Sequence, residues 1–153
     1  MLIVVLLNGL KDFIEDLKRK RSDDYENNKK CYVFDKQYNF FIERLWKNIQ
    51  VGDIVRVLDN EEFPADLVML CSSNIDCNCY IETKNLDGET NLKIKQSEAT
   101  LSNFAKDELK LSVLSGILHT RLPNENIFQF DANIILFNKD SGIFSIKWFL
   151  KNL

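Results

Sequence analysis

A single histidine, His119, and four cysteines, Cys31, Cys71, Cys77 and Cys79, are all that this chain offers to nitrogen and sulfur ligation of zinc and to disulfide chemistry. The cysteine intervals do not match the paired Cys-x2-Cys ligation of zinc, so no metal site is assigned and the thiols are expected in core or loops. So few cysteines are also short of a secreted disulfide scaffold, and no secretory signal precedes them, which points to a reducing, cytosolic setting. An excess of positive charge is lacking too. The formal net charge is -3, which gives no general attraction to nucleic acid, whose binders display a strongly basic face, and no nucleic-acid partner is expected. Long apolar runs are missing: Met1 to Leu7 is wholly apolar, but a membrane-spanning helix needs ~20 such residues. Internal repeats and low-complexity tracts are absent as well. What remains, 153 residues with 45% hydrophobic content, is enough for one core of ordinary size and implies one soluble domain.

Leu7, Leu10, Phe13, Ile14 and Leu17 recur at three- and four-residue intervals among charged residues, which predicts an amphipathic helix over 8–27. Lys18-Arg19-Lys20-Arg21 reads as the basic end of that helix. It is either a solvated face complementing the helix dipole or a patch suited to anionic lipid. From Cys31 the period becomes that of strands. Cys31 to Phe34 and Phe40 to Ile42 flank the polar Asp35-Lys36-Gln37 as a hairpin, and Val51-Gly52-Asp53 turns into Ile54 to Leu58, with Val55 and Val57 on one face. The apolar run Leu67 to Cys71, behind Pro64, reads as a central strand covered on both faces. Asp66 before it is a turn cap or a functional acid. A helix within Ser97 to Val113, capped by Ser97 or Ser102, precedes strands at Gly116 to Thr120 and Ile127 to Phe130 around the turn at 123–126, then the apolar Ile134 to Phe137.

The most informative stretch runs from Cys79 to Gln96. Two extended segments flank Asp87-Gly88-Glu89-Thr90. Asp-Gly is a turn signal, since glycine enters positive φ without steric cost, and the turn lifts Glu89 off the sheet as an exposed carboxylate. Thr90 is placed to bond backbone groups at the loop's exit. Taken by itself, an Asp-Gly turn with a nearby Glu describes an ordinary hairpin with solvated acids equally well.

Together with Val51-Gly52-Asp53-Ile54-Val55-Arg56-Val57 and Phe63-Pro64-Ala65-Asp66-Leu67-Val68, the string Tyr80-Ile81-Glu82-Thr83…Leu86-Asp87-Gly88-Glu89-Thr90-Asn91-Leu92-Lys93 resembles the actuator domain of type IV P-type ATPases, the phospholipid flippases. The likeness spans residues 8 to 137 or so and weakens toward both ends. It implies a mainly β fold with flanking helices, a distorted jelly-roll. Residues 1–7 become the truncated end of a transmembrane helix, 8–30 a membrane-proximal amphipathic helix and 31–137 the β-rich actuator domain, while 138–153 match nothing expected and stay unassigned. The helix is expected to pack outside the β body. The family pattern also has a glycine where Asp131-Ala132 stands.

In such ATPases the actuator loop swings onto an aspartyl phosphate carried by a separate phosphorylation domain, so that water can attack it. Glu89 matches the catalytic carboxylate, with Asp87, Gly88 and Thr90 supporting the loop. Asp87 is not expected to touch the phosphoryl group, because two carboxylates would repel a phosphate dianion. The resemblance further implies ATP and Mg2+ for the full-length enzyme but none bound by this chain, a phospholipid and an accessory β-subunit as partners at that level, and a position at the cytosolic face of a membrane. The phosphorylation motif Asp-Lys-Thr-Gly-Thr does not occur here, so this chain alone is not expected to hydrolyse ATP. The alternative is a small β-rich interaction module using the Asp87 to Thr90 turn as a binding tip.

Overall fold

The structure is a computed structural model that describes residues 2–120, 131–138 and 142–149. The chain divides into two compact units, Met1–Asp66 and Leu67–Leu153. The described strands form three small antiparallel sheets and outnumber the helices, so the fold is mainly β.

The first unit opens with α1, Leu2–Asn27. It ends where Asn28 folds its side chain back onto the Asp24 carbonyl at 2.7 Å. Because the helix continues to Asn27, its last turn carries no basic residue. Lys18 to Arg21 therefore sit inside the helix instead of complementing its C-terminus. The expected apolar stripe is present but is not packed down: Leu7, Leu10, Phe13, Ile14 and Leu17 remain 42–61% exposed. Among the described residues no helix is long and apolar enough to cross a membrane. Lys29 fastens the helix end, pairing with Glu26 at 2.7 Å and with Glu62, and lying over the rings of Tyr25 and Trp46.

Strands β1 (Lys30–Asp35) and β2 (Phe40–Leu45) form the expected hairpin, in register from Lys30 opposite Leu45 to Asp35 opposite Phe40. Asp35 builds its turn, its carboxylate accepting the Gln37 and Tyr38 amides at 2.8 and 3.3 Å. Strand β3, only Val55–Arg56, pairs on the other edge of β1. The central strand β1 supplies the core of the unit, with Cys31, Val33 and Phe34 buried. Phe34 meets the edge of Phe41, whose ring also carries the Arg56 guanidinium at 3.7 Å.

In the second unit the central strand expected at Leu67 to Cys71 is not formed; that run lies outside any ladder. Its apolar side chains are used in packing: Val68, Met69 and Leu70 lie against the buried Leu101, Ile134 and Leu136. Asp66, at the end of the first unit, is exposed and accepts no hydrogen bond among the described residues, so the cap expected there is missing. Strands β4 (Asn78–Ile81) and β5 (Lys93–Gln96) make a two-stranded ribbon. The single turn α2 (Lys84–Asp87) lies between them.

The helix expected across Ser97 to Val113 is two helices, α3 (Ala99–Ala105) and α4 (Glu108–Val113). Asp107 starts the second by accepting the Leu109 amide at 3.0 Å. Neither serine caps the first. Ser97 donates to the Leu70 carbonyl and Ser102 to the Ala99 carbonyl, and the Glu98 carboxylate takes the Leu101 amide instead. Strands β6 (Ser115–Thr120), β7 (Asp131–Asn138) and β8 (Gly142–Phe149) form the third sheet in the order β6-β7-β8. Strand β8 thus gives a structure to part of the stretch left unassigned, and Asp131-Ala132 open β7. The turn at 123–126 and the strand at 127–130 lie outside the described residues.

Candidate functional site

The Asp87 to Thr90 loop is built on the β4–β5 ribbon. Beyond Ile81 the chain enters α2, where the Leu86 and Asp87 amides both reach the Thr83 carbonyl, at 2.8 and 3.0 Å, and the Gly88 amide reaches the Lys84 carbonyl at 3.0 Å. Gly88 ends this turn in the left-handed region, at φ 76° and ψ 0°. The positive φ expected of Gly88 is present, but as the C-cap of a helical turn and not as part of a tight hairpin. A glycine serves either role for the same reason, the absence of a Cβ.

Asp87 points inward, and its side chain is only 7% exposed. One carboxylate oxygen accepts the Glu89 amide at 3.0 Å, the Thr83 hydroxyl reaches both oxygens at 3.0 and 3.1 Å, and the other oxygen is paired with the Lys93 ammonium. The Lys93 hydrogen bond and then the Glu89 amide, assisted by Thr83 and opposed by burial, hold the Asp87 carboxyl at about 2, below the ordinary 3.8. Thr83 does not bond the backbone of the turn that it precedes, because its hydroxyl is given to Asp87.

Glu89 lies on the outer side, its side chain 56% exposed and its carboxylate 3.1 Å from Lys93 Nζ. Lys93 thus sits between two acids, which raise its own proton affinity, Asp87 by more than Glu89. Thr90 is exposed and makes no side-chain hydrogen bond among the described residues, so the bracing expected of it falls to Asp87, Thr83 and Lys93. Of the residues singled out from sequence, Asp87, Gly88 and Glu89 come together as one unit. Thr83 and Lys93 were not singled out, although each lies four residues from an acid it contacts, Thr83 before Asp87 and Lys93 after Glu89.

The cysteines make no comparable centre. All four are thiols outside any disulfide; Cys71 faces the Ala105 carbonyl at 3.4 Å and Cys79 the Met69 sulfur at 3.6 Å, while Cys31 and Cys77 are buried. Burial pushes the Cys77 thiol up, but contacts from Ser72, Ser102 and Lys106 outweigh it and leave the thiol below its ordinary value. His119 is exposed on β6, opposite Asn133. Among the described residues no group of three or more His, Cys, Asp or Glu side chains is gathered so as to hold a metal ion. The chemistry available to the loop is that of an exposed carboxylate on a braced support with a cation beside it.

No family model matches the chain. Curated relatives match nearly all of it. Phospholipid-transporting ATPase C887.12 of Schizosaccharomyces pombe is 46% identical over 140 residues, 92% of this chain and 11% of the relative. Phospholipid-transporting ATPase DRS2 of Saccharomyces cerevisiae is 40% identical over 136 residues, 89% of this chain and 10% of the relative. Phospholipid-transporting ATPase VA of Homo sapiens is 39% identical over 145 residues, 94% of this chain and 10% of the relative. The chain therefore spans about a tenth of the length of the curated relatives it matches. It belongs to the family of phospholipid-transporting P-type ATPases.

Proposed function

We propose that the chain acts as the actuator segment of a phospholipid-transporting ATPase, with Glu89 serving the hydrolysis of an aspartyl phosphate carried elsewhere in the same polypeptide. The observation that carries this reading is the division of labour between two adjacent acids. Asp87 is turned in and neutralised by its partners, while Glu89 is turned out on the loop that Asp87 holds. An outward carboxylate on a fixed backbone can orient a water and take its proton as the water oxygen bonds to phosphorus. The bond from phosphorus to the aspartyl oxygen breaks, the aspartate leaves as carboxylate, and inorganic phosphate is released. Gly88 keeps the backbone free of a side chain where a phosphoryl group approaches. Asp87 stays out of contact with it, which avoids a second negative charge against a dianion.

On this reading the chain meets the phosphorylation domain of the parent ATPase at the cytosolic face of the membrane, with Leu2 to Leu7 continuing toward the bilayer and α1 as the membrane-proximal element. The jelly-roll closure of the β strands belongs to the same proposal. The transported phospholipid and an accessory β-subunit engage other parts of the parent. On the same reading ATP and Mg2+ act at the level of the full-length ATPase and are not bound by this chain.

The test is made in a full-length phospholipid-transporting ATPase carrying this segment. Glu89→Gln keeps the size of the side chain but cannot accept a proton. Phosphoenzyme should form from labelled ATP and then decay about 10² to 10⁴ times more slowly after a chase. Decay at the wild-type rate removes Glu89 from the mechanism, and failure to form phosphoenzyme moves its role to an earlier step.

A further inference from the structure

We propose that Lys93 is a positioning residue for Glu89: seated against Asp87, its ammonium fixes the Glu89 carboxylate and offsets the charge of the loop as it meets an anionic phosphoryl group. The inference rests on the role proposed for Glu89 and names the residue that makes that role electrostatically workable.

Three observations carry it. First, Lys93 is fixed at its backbone, because it opens β5 in register with Ile81 of β4. Second, its side chain is not a free surface lysine. It is 27% exposed and held by an Asp87 carboxylate that Thr83 and the Glu89 amide hold in turn. Third, the same ammonium lies 3.1 Å from the Glu89 carboxylate, on the exposed side of the loop. Asp87 is thus the seat, and Glu89 is the group positioned. Without Lys93 the loop would carry two uncompensated negative charges, the inward Asp87 and the outward Glu89, and that charge opposes the approach of a phosphoryl dianion to Glu89. With it, one of the two charges is cancelled, and Glu89 has a fixed point from which to hold a water.

The arrangement also says what Lys93 does not do. It is a donor to both acids and remains charged throughout, since both neighbours favour its protonated form. It therefore takes no proton from water. Its contribution is charge and direction, and arginine can supply both where glutamine supplies only a hydrogen bond.

The experiment compares Lys93→Gln, Lys93→Arg and Glu89→Gln in the full-length ATPase carrying this segment, by decay of the labelled phosphoenzyme after a chase. Two unit charges this close, even with the attenuation of water, correspond to roughly tenfold in rate, so Lys93→Gln should slow decay about tenfold. Lys93→Arg should stay within about twofold of wild type, because it restores the charge. A role limited to tying the loop together by hydrogen bonds would be met by glutamine as well as by arginine. Wild-type decay in Lys93→Gln overturns the proposal, as does equal slowing in both Lys93 variants. The Glu89→Gln arm separates this failure from the other: slow decay there with normal decay in Lys93→Gln retains Glu89 and removes Lys93, whereas normal decay in Glu89→Gln removes the role on which the inference rests.

Discussion

Gly88→Ala isolates the backbone conformation of the loop from everything its side chains do. Gly88 lies at φ 76°, and a Cβ built on it meets nothing within 4 Å. Crowding therefore contributes no cost, and what remains is the preference of an L-residue against the left-handed region, ~1 to 2 kcal/mol. Alanine also narrows the unfolded ensemble, which returns ~0.4 to 1 kcal/mol. The net expectation is a loss of about 0.5 to 1 kcal/mol. Gly88→Asn should lose less, because asparagine tolerates this region better than other side chains. Gly116→Ala is the steric contrast: its Cβ would lie 2.5 Å from the Ile135 carbonyl oxygen and 3.2 Å from the Leu136 side chain. The oxygen belongs to the neighbouring strand's backbone, so the sheet must shift, at ~1 to 3 kcal/mol. Urea unfolding midpoints of the three variants, with amide exchange at Leu86, Asp87 and Gly88, read both effects. An unchanged midpoint and unchanged exchange in Gly88→Ala would refute the left-handed cap, and a larger loss in Gly88→Ala than in Gly116→Ala would refute the steric argument.

Two further outcomes follow from the same geometry. The folded Asp87 carboxyl lies near 2 against an ordinary 3.8, so its pairing stabilises the loop above about pH 4 and that contribution fades as pH falls from 3.8 toward 2; the protection of the Gly88 amide, its exchange relative to the intrinsic rate at each pH, should fall over that window in wild type and show no such acid-dependent component in Asp87→Asn, and the same acid dependence in both proteins would contradict the pairing. Leu101 is 1% exposed in the core of the second unit, so Leu101→Ala should cost ~2 to 5 kcal/mol, measured as a shift of the urea midpoint; a change within error would mean that this core is not formed in solution.

Where sequence and structure agree, the signal was local. The β1–β2 hairpin follows from two β-prone runs and an aspartate whose side chain can close the turn, and all of these lie within sixteen residues, Lys30 to Leu45. The Glu89 loop was legible for the same reason, since glycine marks positive φ whichever turn uses it. Its helical form was not. Asp-Gly suits a two-residue hairpin and a helix C-cap alike, and only the length of chain between Ile81 and Lys93 separates them. The apolar run at Leu67 to Cys71 misled because apolarity reports packing and not pairing: Val68, Met69 and Leu70 lie half-buried against Leu101, Ile134 and Leu136 without a ladder, and Leu67 is exposed. The helix across Ser97 to Val113 broke where Asp107 caps a new turn, a competition between local hydrogen bonds that periodicity does not register.

The register of the β4–β5 ribbon ties these strands of reasoning to the site. Tyr80 stands opposite Ile94 and Ile81 opposite Lys93. Tyr80 and Ile94 are the outward pair, 60% and 56% exposed, so the lysine is on the inner side and an isoleucine on the outer. That is the reverse of the usual amphipathic ribbon, in which the polar face meets water. The inversion has a local cause: Lys93 is turned toward Asp87, and its neighbour in a strand must then face the other way. A slip of one residue would exchange the two, placing Ile94 against the Asp87 carboxylate and Lys93 in solvent. The acid would lose its cation and Glu89 its neighbour. The pairing of β4 with β5 is therefore part of the site, because it decides which side chain reaches the loop.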